Sequence, residues 1–154
     1  MEQVAKQDAK RYTNSPNCTA FEYATKNSEI NIGIVEIHGR YPNEGHAINH
    51  ECTEIGYILK GSGKLVTEKQ VAYFSEGDVI LIPREEKYYW EGIVTIVIAG
   101  TPAWHPDQQF LLFKDLLVRA SCNGIQTYAI KRVPLELGLL LSKNKVFLRK
   151  QSTS

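Results

Sequence analysis

Between Ile30 and Ala99 the chain never runs long without a turn residue, and this constrains its fold more than any other feature. The runs NIGIVEIHG, EIGYILKG, GKLVTEK, VAYFSEG, DVILIP, KYYWEG and IVTIVIAG are short and rich in Val, Ile, Tyr and Thr. Gly33, Gly39, Gly45, Gly61, Gly63, Gly77, Pro83, Gly92 and Gly100 punctuate them. Glycine and proline at that frequency break helices, whereas β-branched and aromatic side chains suit a pleated, half-buried surface. Short β-prone runs at near-regular spacing predict a sandwich or barrel. Gly61-Ser62-Gly63 predicts a tight hairpin within it.

The flanks read differently. Residues 1–29 are polar, with turn formers Asn14, Ser15, Pro16 and Asn17, and predict an N-terminal arm carrying one short strand around Thr19–Ala24. After Thr101 the residues Pro102, Trp104, His105 and Pro106 predict a loop. Asp107 can then cap a helix whose apolar positions Phe110, Leu111, Phe113, Leu116, Leu117 and Ala120 recur at helical spacing, ending near Ser121–Gly124. Two weaker strands, IQTYAIKR and KVFLRK, surround LELGLLLS beyond it. The expected organisation is an arm over 1–29, a barrel over 30–103 and a C-terminal helical or extended segment over 104–154.

A chain of 154 residues that is 43% hydrophobic and 23% charged is sized for one domain with a real core. Its net charge of +1 points to neither a nucleic-acid nor a membrane partner. The charge is uneven: residues 1–103 carry ten basic and fourteen acidic side chains, and residues 104–154 carry eight and three. Such a basic tail is ordinarily a solvated face, with an acidic or phosphate-rich partner as the alternative. Cys18, Cys52 and Cys122 show neither a disulfide framework nor CxxC metal spacing, which suits a reducing compartment. MEQVAKQDAKRYTNSPN lacks the apolar stretch of a secretory signal, so the expected location is cytoplasmic.

The order of residues between His46 and Gly92 resembles the two motifs of the cupin family. Glu54 is followed after six residues by Gly61, and His50 precedes Glu54 by three intervening residues, as in the first motif. Ile48 stands where that motif has its first histidine. Gly77 and Pro83 match the second motif, while Glu85 replaces its second glycine, Tyr88 its histidine and Gly92 its asparagine. The resemblance implies an all-β, double-stranded β-helix, or jelly-roll barrel. It also implies a homodimer, with TPAWHPDQ over a barrel mouth or in a dimer contact.

In that family, histidines two residues apart on a strand share a face and converge on one metal ion. Here only His50 and Glu54 remain of four implied ligands. His46 is a candidate third ligand for a divalent ion such as Fe, Mn, Ni or Zn, but in an extended strand it lies about 13 Å from His50. Only a bulge would bring the two together. Tyr88, at the lost histidine, is by default a neutral phenol. A metal-free polar cavity is therefore expected ahead of a metal site.

Period-two alternation sends Gly56 inward with Glu54, leaving room, and puts Tyr88 and Trp90 on one face. An aromatic wall with hydroxyl and indole donors suits a sugar or another polar ring compound. The ligand-site candidates are thus His50, Glu54, Tyr88, Trp90, Ile48 and Gly56. Strict alternation points Cys52, between the first two, inward with them, while the bend usual in cupin strands there leaves its side open. Glu85 and Glu86 read as a charged hairpin tip, and His38 and His105 have no partner at useful spacing. The expected function is small-molecule binding by a cupin. The alternatives are a metal-dependent isomerase or dioxygenase using His50, Glu54 and His46 or Tyr88, and an interaction module using the basic C-terminal segment.

Overall fold

The computed structural model describes residues 1–105, 108–113 and 116–119. They form an all-β structure of ten strands: β1 (Lys10–Ser15), β2 (Cys18–Tyr23), β3 (Asn31–Tyr41), β4 (His46–Asn49), β5 (Thr53–Thr67), β6 (Val71–Ser75), β7 (Val79–Ile82), β8 (Lys87–Thr101), β9 (Gln109–Phe113) and β10 (Leu116–Arg119). The only helical element among them is one 3-10 turn at Lys6–Asp8.

The strands join in one curled antiparallel sheet. Strand β8 is its spine, pairing with β3 from Asn31↔Gly100 to Tyr41↔Trp90 and with β5 from Thr53↔Thr101 to Thr67↔Tyr88. The far edge of β5 is shared, with Glu54–Tyr57 against β7 and Ser62–Val66 against β6. Beyond β3 lie β2 and then β1. The segment read as an arm therefore supplies two strands to the sheet, and its expected strand at Thr19–Ala24 is β2.

Alternation along these strands builds the core. Ile37, Ile58, Val94 and Ile96 face inward from β3, β5 and β8 and are almost wholly buried, joined by Leu65, Phe74 and Ile82. A bulge between Ile58 and Lys60 takes Leu59 out of register. Inward positions on β5 are even-numbered before it (Glu54, Ile58) and odd-numbered after it (Leu65). Just past the bulge, Gly61, Ser62 and Gly63 continue within β5 instead of forming the expected hairpin. Gly61 has φ +90°, and a Cβ there would overlap the Ile93 carbonyl of β8. These glycines permit close approach of two strands, a use that composition does not separate from a turn.

The expected helix after Asp107 is also corrected. Gln109–Phe113 and Leu116–Arg119 are strands, with β9 paired to β4 through Ala47↔Leu111 and Ile48↔Phe110. The otherwise open edge of β4 supplies the hydrogen bonds that an isolated helix would have made internally, so tertiary pairing overrides the apolar spacing. Ala120, the helix end near Ser121–Gly124 and the later strands fall outside the described residues. No helix among the described residues is long and apolar enough to cross a membrane.

Candidate functional site

The cavity of interest opens between β2, β3, β5 and β8. Register explains what it contains: Glu22 of β2 pairs with Gly33 of β3, which pairs with Ile98 of β8, while Glu54 of β5 pairs with Gly100. Gly33 and Gly100 have no side chains to fill the space, and the Glu22 carboxyl lies 3.1–3.2 Å from where a Gly33 Cβ would stand. Trp90, Tyr88, Tyr41 and Trp104 supply the aromatic lining. The space it leaves for water-sized molecules measures about 60 Å³. At roughly 10–15 Å³ for each water-sized position, that is room for about four to six waters, or for one edge of a ring that protrudes toward solvent.

Two carboxyl groups set the chemistry. Glu54 is 8% exposed and accepts a hydrogen bond from the Tyr88 hydroxyl at 2.9 Å. Burial pushes its pKa up, while the Tyr88 hydroxyl and the Asn49 amide pull it back. The Asn49 amide completes no hydrogen bond of good geometry, so Tyr88 is the donor that holds the carboxyl. Glu22 is half-buried. Burial, then the charge of Glu54, pushes its pKa up to about 7. A neutral Glu54 can donate a proton, and Glu22 can change charge near neutral pH.

The expected site residues separate. Glu54, Tyr88 and Trp90 come together, with Tyr88 and Trp90 in an edge-to-face arrangement at 6.5 Å between ring centroids. Gly56 lies behind them, and a Cβ there would meet Ile96 at 3.1 Å and Trp90 at 3.8 Å. The room it leaves is taken by core side chains rather than by a guest. Ile48 is buried but does not line the cavity. His50 follows β4 and turns elsewhere: Nδ1 sits 2.9 Å from a Glu85 carboxylate oxygen, and its ring meets the edge of Phe110 at 4.9 Å. His46 packs on Tyr89, whose other contact is the Arg40 guanidinium 3.9 Å from the ring centroid. Burial, then Arg40, lowers the His46 pKa.

These residues do not fit the metal implied by the motifs. His50 is engaged by Glu85, His46 lies beside a cation, and neither lines the cavity that holds Glu54. Among the described residues no three His, Cys, Asp or Glu side chains converge as a metal would need.

Glu22, Asn31, Tyr41 and Trp104 are lining residues that the sequence pattern did not mark. For Glu22 a signal was present: Cys18, Ala20 and Glu22 alternate on the inward face of CTAFEY, opposite Ile37, Val35 and Gly33. Trp104 belongs to TPAWHPDQ, whose backbone is tied down where the Trp104 N–H donates to Asn31 at 3.0 Å. Cys18 and Cys52 are both buried thiols, each pushed up to about 12 mainly by burial, and so are poor nucleophiles.

No family model and no curated protein matches the chain. Solved structures do. A single-residue variant of Pac13 from Streptomyces, with uridine, aligns at 12% identity and TM-score 0.66 over 73% of this chain and 91% of its own. Pac13 is described as a nucleoside dehydratase. A sugar phosphate isomerase of the cupin superfamily from Silicibacter pomeroyi aligns at 14% identity and TM-score 0.58, over 77% and 86%. An RmlC-like cupin from Shewanella frigidimarina aligns at 12% and 0.55, over 67% and 93%. The curled sheet, the long shared strands and these likenesses agree: the chain is a small domain with the cupin fold.

Proposed function

We propose that this protein binds a small polar ring compound, carbohydrate-like in its hydroxyl groups, in the Glu22–Glu54 cavity without a cupin metal. The observation that carries the reading is the convergence of Glu54, Tyr88 and Trp90 on one cavity, with His50 held outside it by Glu85. Carboxyl oxygens and a phenol bond hydroxyl groups, while an indole ring packs on the apolar face of a sugar or base. The likeness to structures that handle a nucleoside and a sugar phosphate is consistent with this ligand class.

Both tryptophans of the chain line this cavity, so intrinsic fluorescence reports on it directly. Titration with a panel of neutral monosaccharides, nucleosides and ring amines is expected to give a saturable change with at least one compound. Elemental analysis is expected to find no stoichiometric metal. A flat response across the panel would overturn the ligand reading. Stoichiometric Fe, Mn, Ni or Zn that disappears in His50→Ala would overturn the metal-free part, in favour of the isomerase or dioxygenase alternative. The interaction-module alternative rests on the basic C-terminal segment, most of which lies outside the described residues.

A further inference from the structure

The cavity is chemically lopsided. Its described lining contains two carboxyl groups and four aromatic rings but no Lys, Arg or His. Several described cations engage other groups: Lys64 pairs with Glu91, Lys69 with Glu86, Lys87 with Glu68, and Arg40 lies on Tyr89. The Tyr88 hydroxyl that holds Glu54 is a neutral donor and brings no positive charge. Two carboxyl groups lining one cavity repel each other when both are ionised, and low-dielectric walls strengthen that repulsion. A cation between them removes it, and indole and phenol rings attract a cation through their π-faces. A neutral sugar would satisfy hydrogen bonds but would leave the charge that Glu22 gains above about pH 7 without a counter-ion in the cavity.

We infer that the ligand of this cavity carries a protonated amine or quaternary ammonium group, seated between Glu22 and Glu54 against Trp90 and Trp104. The inference rests on the cavity being the ligand site and narrows its ligand class. The titratable groups facing Glu22 are Glu54 from β5, Tyr88 from β8, Tyr41 from β3 and Cys18 beside it on β2, while β1 contributes the uncharged Asn14 and, opposite Glu22 in register, the exposed Lys10, which is not among the residues lining the cavity. Burial pushes the Glu22 pKa up to about 7 and raises that of Glu54. Burial favours the protonated form of both, so binding a cation must expel protons and strengthen as pH rises through about 7.

Cyclohexylammonium and cyclohexanol form a matched pair, equal in ring size and different in charge. The expected result is a saturable tryptophan fluorescence change with cyclohexylammonium at pH 8, at least tenfold weaker at pH 5 and at least tenfold weaker in Glu22→Gln. Cyclohexanol should give no saturation at the same concentrations. Calorimetry in two buffers of different ionisation heat should show proton release at pH 6.5. Should Glu22→Gln fail to fold, Glu22→Asp serves instead: it keeps the charge and should keep the preference for the cation. Equal or tighter binding of cyclohexanol, or of a neutral sugar, overturns the cation inference and leaves the ligand site standing. Absence of binding by every probe overturns both.

Discussion

Glu22 links the cavity's chemistry to the stability of the whole chain through its titration. Its folded-state pKa of about 7 lies above the ordinary carboxyl value of 4.5. The folded protein therefore holds that proton more tightly than the unfolded chain does. The associated stability is fully present below pH 4.5 and is lost as pH rises through about 7. The difference corresponds to roughly 3 kcal/mol, and solvent reaching the half-buried carboxyl reduces it to about 1–2 kcal/mol. Glu22→Gln should abolish this slope and make the protein more stable than wild type at pH 8. Urea denaturation at pH 5, 6.5 and 8 checks this, and a wild type equally stable at all three values would count against it. Glu85 shows a second local cost. It occupies a position where the family motif has glycine, and its φ of +67° is the conformation that favours glycine. The exchange gives His50, which the motif would place on a metal, a carboxylate partner at 2.9 Å.

Among the elements, β5 decides the shape of the site. Its bulge at Ile58–Lys60 lets Glu54 face the cavity and Leu65 face the core on the same strand. Gly61 beside the bulge has no room for a Cβ and a φ that other residues adopt only under strain. Gly61→Ala should cost about 3 kcal/mol or more. Thermal denaturation measures it, and a change below about 1 kcal/mol would show that β5 and β8 are less closely apposed than this geometry requires. The bulge also marks a limit of sequence reading. Alternation placed Glu54, Tyr88 and Trp90 inward, as they are found, because period two is a property of any strand. It could not reveal that GSG lies within a strand, since glycine serves turns and close contacts alike. Nor could it reveal β9, whose apolar spacing also fits a helix and whose hydrogen-bond partner, β4, is far earlier in the chain. The motif resemblance pointed to the cupin fold through Glu54, Gly61, Gly77 and Pro83. Alternation with Cys18 and Ala20 marked the face of Glu22, but the register that sets it opposite Gly33, and so in a cavity, is displayed only by the folded sheet.

Among the described residues, one outer surface is left unexplained by the core. Ile55 and Tyr57 on β5 pair with Leu81 and Val79 on β7, and all four are 45–62% exposed, covered by no described residue. Each such side chain gains about 1.5–3 kcal/mol when fully buried, so a contiguous group of this kind favours association. We propose a homodimer through this face. Light scattering after size-exclusion chromatography should give the mass of two chains for wild type and of one chain for Tyr57→Glu, with an unchanged circular dichroism spectrum. A monomeric wild type would leave the face without that role. The cavity opens on the other surface of the same sheet, so ligand binding should persist in the monomeric variant.

On the proposed reading, ligand recognition belongs to the cavity around Glu54 and not to His50. Intrinsic fluorescence titration of wild type, His50→Ala and Glu54→Gln, with cyclohexylammonium, uridine and glucose as probes, separates the two sites directly. Whichever probe binds wild type should bind His50→Ala with unchanged affinity and should lose at least tenfold in Glu54→Gln. Loss of binding in His50→Ala, with Glu54→Gln unaffected, would contradict that assignment.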